Sequence, residues 1–207
     1  VEGYTNTYGN IWRWDILPTN TEVEAVYGTL NALIGKCNFL LERIAVLEQE
    51  VDDEDYEKLQ QFKGEALFAR ALSYSDLIKM YCKAYDPATA ADELGVVLVS
   101  SYSNAGTLKR ASLKDSYQFV LDDLAQSATC LKPDENENDE SYYDTLYFTI
   151  YAVNALYARV YLNMQEWDKA IEYASKVIDS RKFKLSSTTE MIDSETSYYQ
   201  YMWQYDH

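Results

Sequence analysis

The sequence predicts an all-α protein built as an array of antiparallel helix pairs, and three observations carry that reading. Asn154 to Ser180, N-A-L-Y-A-R-V-Y-L-N-M-Q-E-W-D-K-A-I-E-Y-A-S-K-V-I-D-S, reads as a helix, a short turn and a second helix. Apolar residues recur at steps of three and four through most of the chain, the period of a helix with one buried face. Ala66-Leu67-Phe68-Ala69-Arg70 is echoed by Ala155-Leu156-Tyr157-Ala158-Arg159, aromatic and arginine falling at the same helical offsets. The first stretch fits a tetratricopeptide repeat, a helix pair of about 34 residues with small residues where the helices cross. With Tyr161 at the repeat's Tyr, Ala158 and Ala170 fall on the crossing, Ala174 follows one turn later, and Trp167 in the turn covers the junction. The expected fold is a tetratricopeptide-like helical repeat array with long loops.

The elements follow in order. Residues 1–20, rich in Tyr, Trp, Asn, Thr and Gly, show no helical period and read as a loop or arm. Thr21 and Glu24 form a T-x-x-E capping box that opens a helix over 21–50. Its apolar face runs through Val23, Val26, Tyr27, Leu30, Leu33, Ile34, Cys37, Leu41 and Ile44. The acidic break Asp52–Asp55 suits the positive start of a second helix over 54–84. That helix presents Tyr56, Leu59, Phe62, Ala66, Ala69, Leu72, Leu77 and Tyr81 and stops before Asp86-Pro87, since proline disfavours helical geometry in the residue before it. Val96–Val99 is a short buried extended run. Ser112, three residues before Asp115, starts a helix over 112–131 that ends at Pro133, and the repeat supplies helices over 147–164 and 166–180.

At 207 residues the chain can bury a real core as one domain. Lys and Arg total 18 against 34 Asp and Glu, a net charge of −16. Such a surface repels phosphate backbones and anionic lipid headgroups, which argues against nucleic acid and against polybasic membrane binding. The three cysteines, Cys37, Cys82 and Cys130, lie among apolar helical neighbours and lack C-x-x-C spacing, so buried free thiols are expected. No apolar run reaches the length of a membrane span.

Five segments, in order, resemble the SusD/RagB family of bacterial outer-membrane nutrient-binding lipoproteins. They are V-Y-G-T-L-N-A-L-I-G-K-C-N-F-L-L-E-R-I (26–44), with Asn38 at the family's Asn; G-E-A-L-F-A-R-A-L-S-Y-S-D-L-I-K-M-Y (64–81); Y-C-K-A-Y-D-P-A-T-A-A-D-E-L-G-V-V-L-V (81–99); R-A-S-L-K-D-S-Y-Q-F-V-L-D-D-L (110–124); and the opening repeat through F-K-L (183–185). In the third, Val97 stands where the family usually has Pro. The resemblance spans residues 20–185. Family members are typically more than twice this length, so residues 1–207 are expected to be a single helical SusD-like domain from a longer member, with 1–20 an aromatic arm and 132–146 an acidic linker loop. The lipid-bearing cysteine and leader that the resemblance implies are expected outside residues 1–207.

Sugars present flat C–H faces that stack on aromatic rings, and the resemblance implies that loops before the first long helix contribute to the ligand site. Trp12 and Trp14, with Tyr4 and Tyr8, are therefore the expected ligand-binding residues, although an extended Trp-Arg-Trp would point its two rings to opposite sides. Arg70 and Arg159 on apolar helices read as structural partners of carboxylates, with Asp76 and Asp123 as candidates. The loop Asp134–Glu140 has the first three ligand spacings of a calcium loop. It has Asp139 where glycine is needed and Thr145 where the bidentate acid should be, so it reads as a solvated linker. The only histidine is the terminal His207, which removes Ser-His-Asp and Cys-His catalysis and His-rich zinc sites. No carboxylate pair stands out as a glycosidase would require.

The expectation is thus a non-enzyme without cofactor, catalytic residues or metal. The resemblance implies a surface-exposed, lipid-anchored outer-membrane protein that captures an oligosaccharide or polysaccharide and hands it to a SusC-like TonB-dependent transporter. The alternative is a tetratricopeptide-type scaffold for protein–protein interaction.

Overall fold

A computed structural model describes residues 9–17, 19–102, 108–131 and 148–183. The chain forms α1 (Gly9–Trp12), α2 (Thr21–Leu47), α3 (Asp53–Tyr81), β1 (Leu94–Val97), β2 (Arg110–Ser112), α4 (Leu113–Cys130), α5 (Ile150–Asn163) and α6 (Trp167–Asp179). The five long helices match the five expected from apolar periodicity, each within a few residues at its ends. Consecutive helices pack serially, α2 on α3, α3 on α4, α4 on α5 and α5 on α6, as helical repeats do. Helix thus dominates, with one antiparallel two-stranded ribbon of β1 and β2. The acidic loop 132–146, Tyr4, Tyr8 and His207 lie outside the described residues.

The helix starts show which polar side chains carry them. Ser112 Oγ accepts from Asp115 N at 3.0 Å and Asp52 Oδ1 accepts from Asp55 N at 3.1 Å, each satisfying an amide the helix leaves orphaned. Two more amides of the α4 first turn are taken by the loop before β1, Leu113 N donating to Glu93 O and Lys114 N to Ala90 O. The capping box expected at Thr21 does not form. Asn20 is the cap position and makes no side-chain cap, because its Oδ1 accepts from Leu17 N instead. The aromatic arm also departs from the expectation of pure loop: Gly9–Trp12 is one helical turn, with Arg13 N donating to Gly9 O.

α3 is the centre of the molecule. From Gly64 to Ile78 it is buried almost all round, with Phe68, Ala71, Tyr74, Leu77 and Ile78 packed against Leu113, Val120, Leu124, Val153 and Val160. A single-stripe reading of this helix therefore fails at its start, where Tyr56 and Phe62 are exposed. On α2 the buried set is Ile34, Cys37, Asn38 and Ile44, while Val26, Tyr27 and Leu33 stay exposed, because α3 is the one helix that packs on α2 among the described residues. Gly64 is needed for the α3–α4 approach. A Cβ there would sit 2.7 Å from the Leu131 side chain and 3.0 Å from Cys130 Cβ, and Ser127 Oγ donates to Gly64 O at 2.8 Å. Gly95 serves likewise beside β2, where a Cβ would meet Ser112 O at 2.5 Å.

In the α5–α6 pair Ala170 is buried and Ala158 is half-buried, consistent with a close crossing. Tyr173 stacks on Tyr157 and Tyr161 across the pair at centroid distances of 4.4 and 5.6 Å. Trp167 does not cover the junction as expected. It opens α6 and is 56% exposed, because the turn is closed by backbone, Glu166 N donating to Tyr161 O and Gln165 N to Leu162 O. All three cysteines are free; Cys37 and Cys130 are buried and Cys82 is half-buried just past α3.

Candidate functional site

The site expected at the N-terminal arm rests on α1. Its single turn ends at Trp12, and Trp14 follows with φ of 59°, a left-handed conformation that reverses the chain after the helix. The two side chains are 80% and 87% exposed, so both rings stand in water and are not core residues. Trp14 N donates to Ile11 O at 3.0 Å, which fixes the turn that carries the rings. The segment is a turn rather than an extended strand, so the alternation argument against a shared direction does not apply to it. Among the described residues neither ring stacks on another aromatic. Tyr4 and Tyr8 fall outside the described residues, so their place in the cluster stays an expectation.

A second exposed aromatic edge lies between α2 and the segment after β1, and sequence reasoning missed it. Phe39 and Tyr102 meet edge to face at 5.2 Å between centroids, and the Arg43 guanidinium lies 5.4 Å over the Phe39 ring. Glu42 holds the segment in place, its Oε1 accepting from both Ser101 Oγ and Tyr102 N at 2.8 Å. Two exposed rings, a carboxylate, a guanidinium and a hydroxyl thus share one surface. Phe39 and Arg43 are one helical turn apart, a signal the sequence offered. The link from Glu42 to Ser101 and Tyr102 crosses about sixty positions and gave none.

Beneath this edge a buried polar network fixes the segment. Arg70 makes a bidentate pair with Asp123, Nε to Oδ2 at 2.8 Å and Nη2 to Oδ1 at 2.7 Å, and its Nη1 donates to Asn38 Oδ1 at 2.7 Å. Asn38 Nδ2 passes the chain on to Val99 O at 2.9 Å, where Tyr74 Oη also donates at 3.2 Å. Val99 N in turn donates to Tyr74 Oη at 2.8 Å. Residues from α2, α3 and α4 therefore clamp the backbone three positions before Tyr102. Burial raises the Asp123 carboxyl above its ordinary value, against the opposing pull of Arg70. Burial likewise raises the Tyr74 hydroxyl. The candidates Asp123 and Asp76 both pair: Arg159 Nη2 donates to Asp76 Oδ1 at 3.2 Å, on a half-exposed surface. The Asn38 and Tyr74 bonds position the backbone at Val99.

Among the described residues no three His, Cys, Asp or Glu side chains come together as metal ligands, and no helix is long and apolar enough to cross a membrane. Residues 3–162 match the SusD-like family model described as "starch-binding associating with outer membrane". The chain belongs to the SusD-like family. No curated protein matches its sequence. Among solved structures, a SusD superfamily protein from Bacteroides thetaiotaomicron is 28% identical at a TM-score of 0.67, with 81% of this chain covering 35% of that one. A putative sugar binding protein from Bacteroides vulgatus is 24% identical at a TM-score of 0.71, with 93% of this chain covering 41% of that one. A laminarin binding SusD-like protein is 17% identical at 0.60, with coverages of 81% and 32%. The last two similarities show a shared fold. This SusD-like chain spans less than half the length of each of the three.

Proposed function

We propose that this chain is the helical part of a non-catalytic, surface-exposed glycan-binding protein that captures an oligosaccharide for a TonB-dependent outer-membrane transporter, to which a lipid anchor keeps it close. The observation that carries the reading is a rigid SusD-like helical scaffold that holds exposed aromatic rings at two edges. Trp12 and Trp14 stand in water on a fixed turn, and Phe39 and Tyr102 stand beside Glu42, Arg43 and Ser101. Rings of this kind stack on the C–H faces of a pyranose, while the carboxylate, guanidinium and hydroxyl suit its hydroxyl groups. Binding and release are then the whole cycle, and no bond is made or broken.

Stacking rings contribute on the order of 1 kcal/mol each, so the edges on this chain alone support an affinity in the millimolar range. Tryptophan fluorescence titrated with a panel of oligosaccharides tests the glycan reading. A saturable change with at least one oligosaccharide is expected, reduced in Trp12→Ala/Trp14→Ala. Micromolar binding that this double variant leaves unchanged would remove the N-terminal arm from the site. The transporter partnership is tested separately by the neighbouring coding sequence, where a TonB-dependent transporter is expected.

A further inference from the structure

α6 carries two apolar faces, and among the described residues only one of them is packed. Ala170 is buried and Tyr173 stacks on the α5 tyrosines, which makes the face toward α5. Trp167, Ile171, Ala174 and Ile178 repeat at steps of four, three and four and form a second stripe. Its three large side chains are 56%, 66% and 47% exposed. At about 100° per residue, Asp168, Glu172 and Asp179 fall together along the flank of this stripe that points away from α5. Lys169 and Lys176 lie further round, drawn over the rings of Tyr161 at 5.1 Å and Tyr173 at 3.9 Å, and Lys176 pairs with Glu172 at 2.8 Å, so the acids left to border the stripe are Asp168 and Asp179.

We propose that this stripe is a docking face for an amphipathic helix that carries Lys or Arg along one edge. A straight row of apolar side chains over three turns matches the ridge of another helix, the packing that already joins α5 to α6. A second copy of the chain fits poorly. Two α6 helices related by a twofold axis would bring acidic flank against acidic flank, and a net charge of −16 adds repulsion at longer range. An anionic membrane surface is excluded by the same charge. A basic edge meets Asp168 and Asp179 and supplies both orientation and rate of encounter. The inference is independent of the glycan reading, since it uses neither aromatic edge.

The test uses two synthetic helical peptides with one leucine stripe, one edged with lysine and one with glutamate, titrated by fluorescence anisotropy into the 207-residue chain. The lysine-edged peptide is expected to bind at least ten-fold tighter, Asp168→Lys/Asp179→Lys to reverse that order, and Ile171→Asp to abolish binding of both with helical circular dichroism retained. Lysine-peptide binding that survives Ile171→Asp would reduce the effect to general attraction to an acidic protein and overturn the proposal. Ile178→Cys that resists maleimide labelling in the free chain would overturn it in favour of a segment of the chain itself as the occupant. Self-association abolished by Ile171→Asp would overturn it in favour of a second copy.

Discussion

Removing either partner of the buried Arg70–Asp123 pair should destabilise the array, but with different pH dependence. The two side chains are 8% and 3% exposed and share two hydrogen bonds of 2.7–2.8 Å. Asp123→Ala strips both from the guanidinium and leaves it Asn38 Oδ1 and the Phe119 ring, 5.2 Å below. An arginine has no accessible neutral form, so the uncompensated buried charge should cost about 3–5 kcal/mol at any pH between 5 and 8. Arg70→Met instead leaves a carboxylate, which can escape the cost by taking a proton.

The sign follows from the direction of the shift. Asp123 already sits above its ordinary 3.8 because burial outweighs Arg70, and losing Arg70 raises it further. The native state then binds a proton that the unfolded state releases, so this contribution is fully present below the unfolded value and is lost as pH rises through the folded one. Arg70→Met should therefore lose more stability at pH 8 than at pH 5, by up to about 1.4 kcal/mol for each pH unit over which the native carboxyl stays protonated while the unfolded one is ionised. Urea midpoints at the two pH values, with unchanged slope, measure both variants. Arg70→Met/Asp123→Leu should recover much of either loss. Losses below about 1 kcal/mol in both single variants, equal at both pH values, would refute the buried network.

Three further expectations follow from packing and chemistry. Ala170→Leu should overpack the α5–α6 crossing and lower stability by about 1–3 kcal/mol, read as a urea midpoint. Gly64→Ala should cost a similar amount, because Leu131 and the fixed Cys130 Cβ occupy the space its methyl would need. Mass spectrometry of the unreduced protein should show no link among Cys37, Cys82 and Cys130, and the half-buried Cys82 should be alkylated before the buried Cys37 because a reagent reaches it more easily, burial raising both thiols.

What the sequence disclosed was what local repetition encodes. The long helices from α2 to α6 were legible because apolar residues recur at three and four, and the α5–α6 pairing because small residues sit at fixed places around Tyr161. The Ser112 cap was legible because its partner lies three residues on. What depends on three-dimensional neighbours was not. Tyr56 and Phe62 share the apolar character of Leu67 and Ile78, and only the position of α4 against the middle of α3 decides which are buried. Arg70 and Asp123 were both noticed, yet their pairing lies across 53 positions and the pattern within one helix contains no trace of it. The Phe39–Tyr102 edge failed for the same reason. The capping box failed by one residue, because Asn20 closes a turn back to Leu17 and shifts the helix start.

The most direct test of the central claim, a SusD-like scaffold with two aromatic glycan-facing edges, is saturation-transfer-difference NMR of an oligosaccharide panel on the chain and two double variants. The account predicts transfer to the C–H protons of at least one oligosaccharide in the unmodified chain. Trp12→Ala/Trp14→Ala and Phe39→Ala/Tyr102→Ala should each weaken that interaction by roughly five- to thirty-fold, the equivalent of about 1–2 kcal/mol for two rings, with the helical fold intact. Transfer that persists unchanged in both variants, or its absence with every oligosaccharide tested, would contradict it.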